Sequence, residues 1–152
     1  MGKILSLSFF AFLLLVIIYN EESGAADQGT YLGFKECLPC HEEITRAWEK
    51  TRHARAFESL KKTSQEGLPG CLPCHVTGYE KPGGYVDFEI TPELTGVQCE
   101  ECHGPAKSHA ANPAEKGIVT AEPDEKKCRV CHTAGQDPNF NYPKKSKLVH
   151  SK

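Results

Sequence analysis

The sequence predicts a mainly α chain with much irregular structure and one small β-hairpin, wrapped around an interior that its own side chains do not supply. Three observations lead there. All 8 cysteines fall in four copies of Cys-x-x-Cys-His, at residues 37–41, 71–75, 99–103 and 128–132. Hydrophobic residues make up only 39% of the chain, while 13 Gly and 10 Pro interrupt any long regular element. The helical patterns that remain are short, and a single pair of β-prone runs breaks them.

Taken in order, residues 27–36 form a short lead carrying Tyr31 and Phe34. From His41 the chain reads as helix: Glu42 and Glu43 suit the positive N-terminal dipole, and Ile44, Ala47 and Trp48 share a face. His53, Ala56, Phe57 and Leu60 repeat the pattern at i, i+3, i+4 and i+7. Residues 61–70 are polar and turn-rich, hence a loop. The runs 76–79 and 85–90 flank Glu80-Lys81-Pro82-Gly83-Gly84 and predict the hairpin. Pro105 opens a brief helix over residues 107–111 that Pro113 ends, and Pro123 opens another leading into the fourth motif. The tail from Asp137 is rich in Pro, Asn and Lys and predicts little structure.

The spacing of the four motifs is that of covalent c-type haem attachment. Two thiols three positions apart reach the two vinyl groups on one porphyrin edge and form thioethers, and the adjoining histidine ligates the iron. With 7 His in 152 residues, a histidine follows a given cysteine about 1 time in 20, so four such coincidences are on the order of a few per million. Structural zinc needs no histidine after every pair, and disulfides place no demand on the next residue. The eight thioether positions are therefore Cys37, Cys40, Cys71, Cys74, Cys99, Cys102, Cys128 and Cys131. The proximal iron ligands are His41, His75, His103 and His132. Four haems in a chain of this size form most of its core, so the haem-free polypeptide is expected to be largely unfolded.

The N-terminus predicts an exported protein. Lys3 precedes an apolar run over residues 4–19, followed by Ser23, Gly24, Ala25 and Ala26, the pattern of a secretory leader cleaved after Ala25 or Ala26. This divides the chain into a signal peptide, residues 1–25, and one tetrahaem domain, residues 26–152. An uncleaved membrane anchor is the alternative, although the run is short for a span of about 20 residues. Export to the periplasm or beyond suits thioether chemistry. Removal of residues 1–25 takes away Lys3, Glu21 and Glu22 and leaves 17 basic against 18 acidic side chains. No basic excess points to nucleic acid, and haem propionates make the surface more acidic still. The expected partners are redox proteins, donor and acceptor, with a quinol-linked oxidoreductase among the candidates.

Subtraction limits the axial ligands. Beyond the four proximal histidines the chain has His53, His109 and His150, and its one methionine is Met1. Three histidines must serve four sixth positions. One haem is then five-coordinate, ligated by a weaker group such as Lys or Tyr, or ligated by a neighbouring chain. Haems with two histidines and no Met have comparatively low potentials.

Three stretches carry a family resemblance: residues 37–57 with Trp48 and His53-Ala-Arg-Ala-Phe57, residues 71–79 with Gly83-Gly84-Tyr85, and Thr95-Gly-Val-Gln-Cys-Glu-Glu-Cys-His-Gly-Pro105. With these the chain resembles the cytochrome c-554 family of tetrahaem cytochromes, over most of the mature sequence. The resemblance implies an electron carrier with closely packed haems. It also implies that His109 serves the first haem, His53 the third and His150 the fourth, leaving the haem on His75 without a protein sixth ligand. The chain is shorter than the family pattern between His109 and Cys128 and after His132. One-electron transfer without enzymatic turnover is the leading expectation. The alternatives are reduction of a small nitrogen ligand at the open haem, and a haem filament in which a neighbouring chain donates the missing ligand.

Overall fold

The computed structural model describes residues 30–150; the leader expected over residues 1–25 lies outside the described residues. Among these the α-helices are α1 (Leu38–Glu49), α2 (Ala56–Lys61), α3 (Cys99–His103), α4 (Lys107–Ala111), α5 (Glu125–Arg129) and α6 (Tyr142–Lys145). Tight 3-10 turns at Phe34–Cys37, Leu72–Cys74, Pro92–Leu94 and Ser146–Leu148 punctuate them. Segments this short do not hold helical shape alone in water, so each depends on what it packs against. None of these helices is long and apolar enough to cross a membrane.

Helix α1 starts three residues before the expected point, because Pro39 sits in its first turn, where a missing N–H costs nothing. The first motif therefore forms the start of the helix, and His41 adopts a non-helical φ −123°, ψ 40° that kinks it. Thr45, Ala47 and Trp48 face inward, and the Trp48 indole donates to the Val97 carbonyl at 2.9 Å. Helix α2 buries Phe57 and Leu60 as its periodicity predicts. His53 lies ahead of it, in a turn closed by Ala56 N–H donating to the His53 carbonyl.

The expected β-hairpin does not form. Among the described residues the only strand-like pairing is an isolated antiparallel bridge between Val76 and Thr95. Thr77 N–H donates to Leu94 O, and Tyr85 N–H returns to Thr77 O as a single link. Beyond it, the Asp87 carboxylate accepts from Glu89 N and Ile90 N, and Asp87 O accepts from Thr91 N. These bonds curl the second run into a turn, which leaves Val86 and Ile90 exposed. The tail also departs from expectation. Asn141 caps α6 by accepting from Lys144 N, so the Lys-rich end is a helical turn and not loose chain.

The apolar core is one small cluster of Phe57, Leu60, Leu72, Val76, Tyr85 and Leu94, with Tyr31, Cys71 and Tyr79 against it. Gly84 is required here, because a Cβ would collide with the backbone of Gly78. Among the described residues after Val97, Phe140 is the one buried hydrophobic side chain. The described residues beyond Val97 thus fold with almost no apolar interior of their own.

Candidate haem centres

Local structure presents the four motifs in different ways. The first opens α1. The second forms the turn Leu72–Cys74, pinned by the burial of Leu72. The third is helix α3 itself, and the fourth runs through α5. Asp124 caps α5 by accepting from Lys127 N, and His132 N–H donates to Cys128 O.

Polar side chains then draw the motifs together. Glu100, inside the third motif and 3% exposed, accepts from the backbone N–H groups of Leu32, Gly33 and Ala106 at 2.8–3.1 Å. Gln98, also buried, accepts from Phe34 N and donates to the carbonyls of Glu93 and Thr95. These bonds clamp the lead before the first motif onto the third. Glu101 accepts from Gly78 N, just past the second motif, and from the Lys127 ammonium, just ahead of the fourth, at 3.0 Å. Gly96 brings the turn holding His53 against the second motif: its N–H donates to His75 O while Val97 N–H donates to His53 O. Its φ of +84° and the Ala54 carbonyl 2.8 Å from where a Cβ would lie require glycine.

As a result thiols from different motifs meet. Cys99 donates a hydrogen bond to Cys37, which lowers the Cys37 thiol pKa and raises that of Cys99. Burial, then the neighbouring Cys74, pushes Cys131 up to about 12. Burial, then Cys128, pushes Cys102 up to about 11. Burial penalises a thiolate, whereas a thioether sulfur carries no charge and loses nothing there. All eight cysteines are unpaired in disulfides. Among the described residues no three His, Cys, Asp or Glu side chains converge as structural zinc demands.

Each histidine beyond the motifs faces a motif histidine. Ring centres are 6.2 Å apart for His41 and His109, 5.9 Å for His53 and His132, and 6.0 Å for His103 and His150. Two imidazoles sharing one metal, each nitrogen about 2 Å from it, hold their ring centres roughly 6 Å apart. The donor chemistry fits as well. His75 Nδ1 faces the Ala56 carbonyl at 2.8 Å, His103 Nδ1 the Thr120 carbonyl, and His132 Nδ1 the Asp137 carboxylate at 2.9 Å. An acceptor at Nδ1 places the proton there and leaves Nε2 free for a metal. Burial first, then the facing imidazole, lowers the pKa of both His53 and His150, which favours the neutral imidazole that metal ligation requires. On the His109 ring, Nδ1 is buried with no protein partner.

These contacts exchange two expected partnerships. His53 faces the histidine of the fourth motif instead of the third, and His150 that of the third instead of the fourth. The cause is in the bonds above: Gly96 and Val97 hold the His53 turn at the second motif, whose Cys74 touches Cys131 of the fourth. Among the described residues no histidine ring faces His75; its Nδ1 meets the Ala56 carbonyl at 2.8 Å and the Ser59 hydroxyl at 3.4 Å. The roles of Asp137, Glu100, Gln98 and Glu101 escaped sequence reasoning, because nothing in the pattern separates them from any surface polar residue.

A family model described as cytochrome c554 and c-prime matches residues 36–104. Cytochrome c-554 of Nitrosomonas europaea is 32% identical over 142 residues, which is 83% of this chain and 60% of that protein. The multihaem cytochrome MtrA of Shewanella baltica is 29% identical over 91 residues, 51% of this chain and 27% of that one. The chain thus spans about three fifths of the first of these relatives and about a quarter of the second. A solved structure of reduced cytochrome c554 from Nitrosomonas europaea superposes with a TM-score of 0.64 at 26% identity, covering 80% of this chain and 84% of that one. Motifs, fold and relatives agree: the chain belongs to the cytochrome c554 family and is a c-type cytochrome with four covalent haems.

Proposed function

We propose that the chain carries single electrons between redox proteins in the periplasm or outside the cell, through four haems held in a branchless row. The haems supply one-electron iron chemistry; the polypeptide fixes their ligands, spacing and surroundings. Cys37 and Cys40, Cys71 and Cys74, Cys99 and Cys102, and Cys128 and Cys131 form the thioethers. His41, His75, His103 and His132 are the proximal ligands. His109, His150 and His53 complete the first, third and fourth sites respectively.

The observation that carries this reading is the set of three facing histidine pairs at about 6 Å. Support for a row comes from the thiols, since each marks a porphyrin edge. Hydrogen bonds between Cys37 and Cys99 and between Cys74 and Cys131, with Cys128 near enough to Cys102 to act on it electrostatically, support the order first, third, fourth, second. The ends of the row are the sites of His41 and His75, the natural places for donor and acceptor to dock. Export rests on the leader pattern and on thioether chemistry. Electron paramagnetic resonance of the oxidised holoprotein tests the proposal: three low-spin haems and one high-spin haem are expected, and four low-spin haems would refute the ligand count.

A second reading follows from His75. With all three other histidines engaged, its haem keeps a face open to a small molecule such as nitric oxide, nitrite or hydroxylamine. Reductive turnover there would make the chain an enzyme; ligand binding without turnover leaves it a carrier.

A further inference from the structure

The proximal histidines differ in what they lean on. His75 and His103 face backbone carbonyls, whereas His132 faces the ionised carboxylate of Asp137 at 2.9 Å. The carboxylate is held in place: Asp137 N–H donates to Thr133 O at 2.8 Å, and its own carbonyl accepts from Phe140 N at 3.0 Å. The Phe140 ring packs against His132 with centres 4.5 Å apart, and the Arg129 guanidinium covers Phe140 at 4.7 Å. The Lys145 ammonium, from α6, lies 2.7 Å from the same Oδ2 that His132 uses.

We propose that Asp137 is a positioning residue that lowers the midpoint potential of the haem on the fourth motif, and that Lys145 opposes it. This rests on reading His132 and His53 as that haem's axial pair. An N–H donated to a carboxylate makes a more basic imidazole than one donated to a carbonyl. A more basic ligand, together with a fixed negative charge nearby, stabilises ferric over ferrous iron. The Lys145 ammonium draws on the same oxygen and weakens both effects, so two neighbouring side chains act on one couple with opposite sign. Because α6 carries Lys145, the ordering of the C-terminal tail is itself part of the control.

The test is a spectroelectrochemical titration of the holoprotein, following each haem by its paramagnetic signal. Asp137→Asn keeps an acceptor but loses the charge. It is expected to raise one of the four midpoints, shifting the reduced-to-oxidised ratio roughly tenfold, which is about 59 mV for one electron. Lys145→Gln, at a side chain 42% exposed, is expected to lower the same midpoint, and Asp137→Glu to restore the parent value. Loss of packing alone would not move one couple in both directions. Shifts of the same sign in the Asn and Gln variants, or no shift in either, would overturn the proposal. If Asp137→Asn does not assemble, the downward shift in Lys145→Gln still decides it. A His53→Ala variant that keeps all its low-spin signals would sink the axial reading instead, and the proposal with it.

Discussion

The imidazoles of His53 and His132 stand with ring centres 5.9 Å apart and planes inclined at 67°, although 79 residues separate them in the chain. His53 precedes α2 and His132 follows α5, so the contact brings together two segments far apart in the chain. The same relationship joins His41 to His109 and His103 to His150.

Replacing His53 with Ala is expected to convert one low-spin haem to high-spin while haem content stays at four. The partner can be identified directly. In a Cys128→Ser, Cys131→Ser background, which lacks the fourth haem, adding His53→Ala should create no new high-spin signal. A new one would return His53 to a different site.

The reduced holoprotein is expected to bind carbon monoxide at one haem per chain, on the second motif. Absorbance titration reads the stoichiometry, and His75→Ala, which frees the proximal side, should change its spectrum. Binding at none would mean that a side chain closes that face.

Glu100→Gln should destabilise the holoprotein by roughly 1–3 kcal/mol, the scale for leaving buried hydrogen-bonding groups mismatched. The buried carboxylate accepts from three backbone N–H groups, and an amide would turn one acceptor into a donor aimed at them. Amide exchange at Leu32 and Gly33 should quicken most. Unchanged exchange there would show that Glu100 does not hold the lead.

Phe57→Ala should cost about 3–5 kcal/mol. Its ring is 2% exposed and meets Tyr85 and Phe88, with centres 5.8 Å away in each case. Denaturant unfolding should show a lower midpoint with an unchanged slope. A loss under about 1 kcal/mol would mean that the haems, not this cluster, dominate stability.

Chain produced without haem attachment is expected to lack a cooperative unfolding transition. The described residues after Val97 bury only Phe140 among hydrophobics, too little apolar area to offset the entropy of ordering them. Circular dichroism during thermal unfolding checks this; a sharp transition in haem-free protein would contradict it.

Some of this architecture is open to anyone reading the chain. Cys-x-x-Cys-His is a contiguous chemical unit, so thioether and proximal-ligand positions can be read without a fold. The ligand shortfall is likewise arithmetic on His and Met. Short amphipathic helices such as α2 and α4 announce themselves through spacing and flanking prolines. The hairpin failed because two β-prone runs around a Gly-Gly turn say nothing about Asp87, whose carboxylate captures the following backbone and curls it.

Which histidine faces which motif lay beyond the sequence. The family resemblance pairs His53 with the third motif and His150 with the fourth, whereas their rings face the histidines of the fourth and the third, because pairing depends on contacts between residues far apart in the chain. Gln98 and Glu100 seat the lead on the third motif, Glu101 joins the second to the fourth, and Gly96 sets the turn that carries His53. The chain by itself determined how many haems are held, since the attachment motif is local and can be counted. Their order and partners were decided only in three dimensions, by buried polar bonds that no spacing rule records.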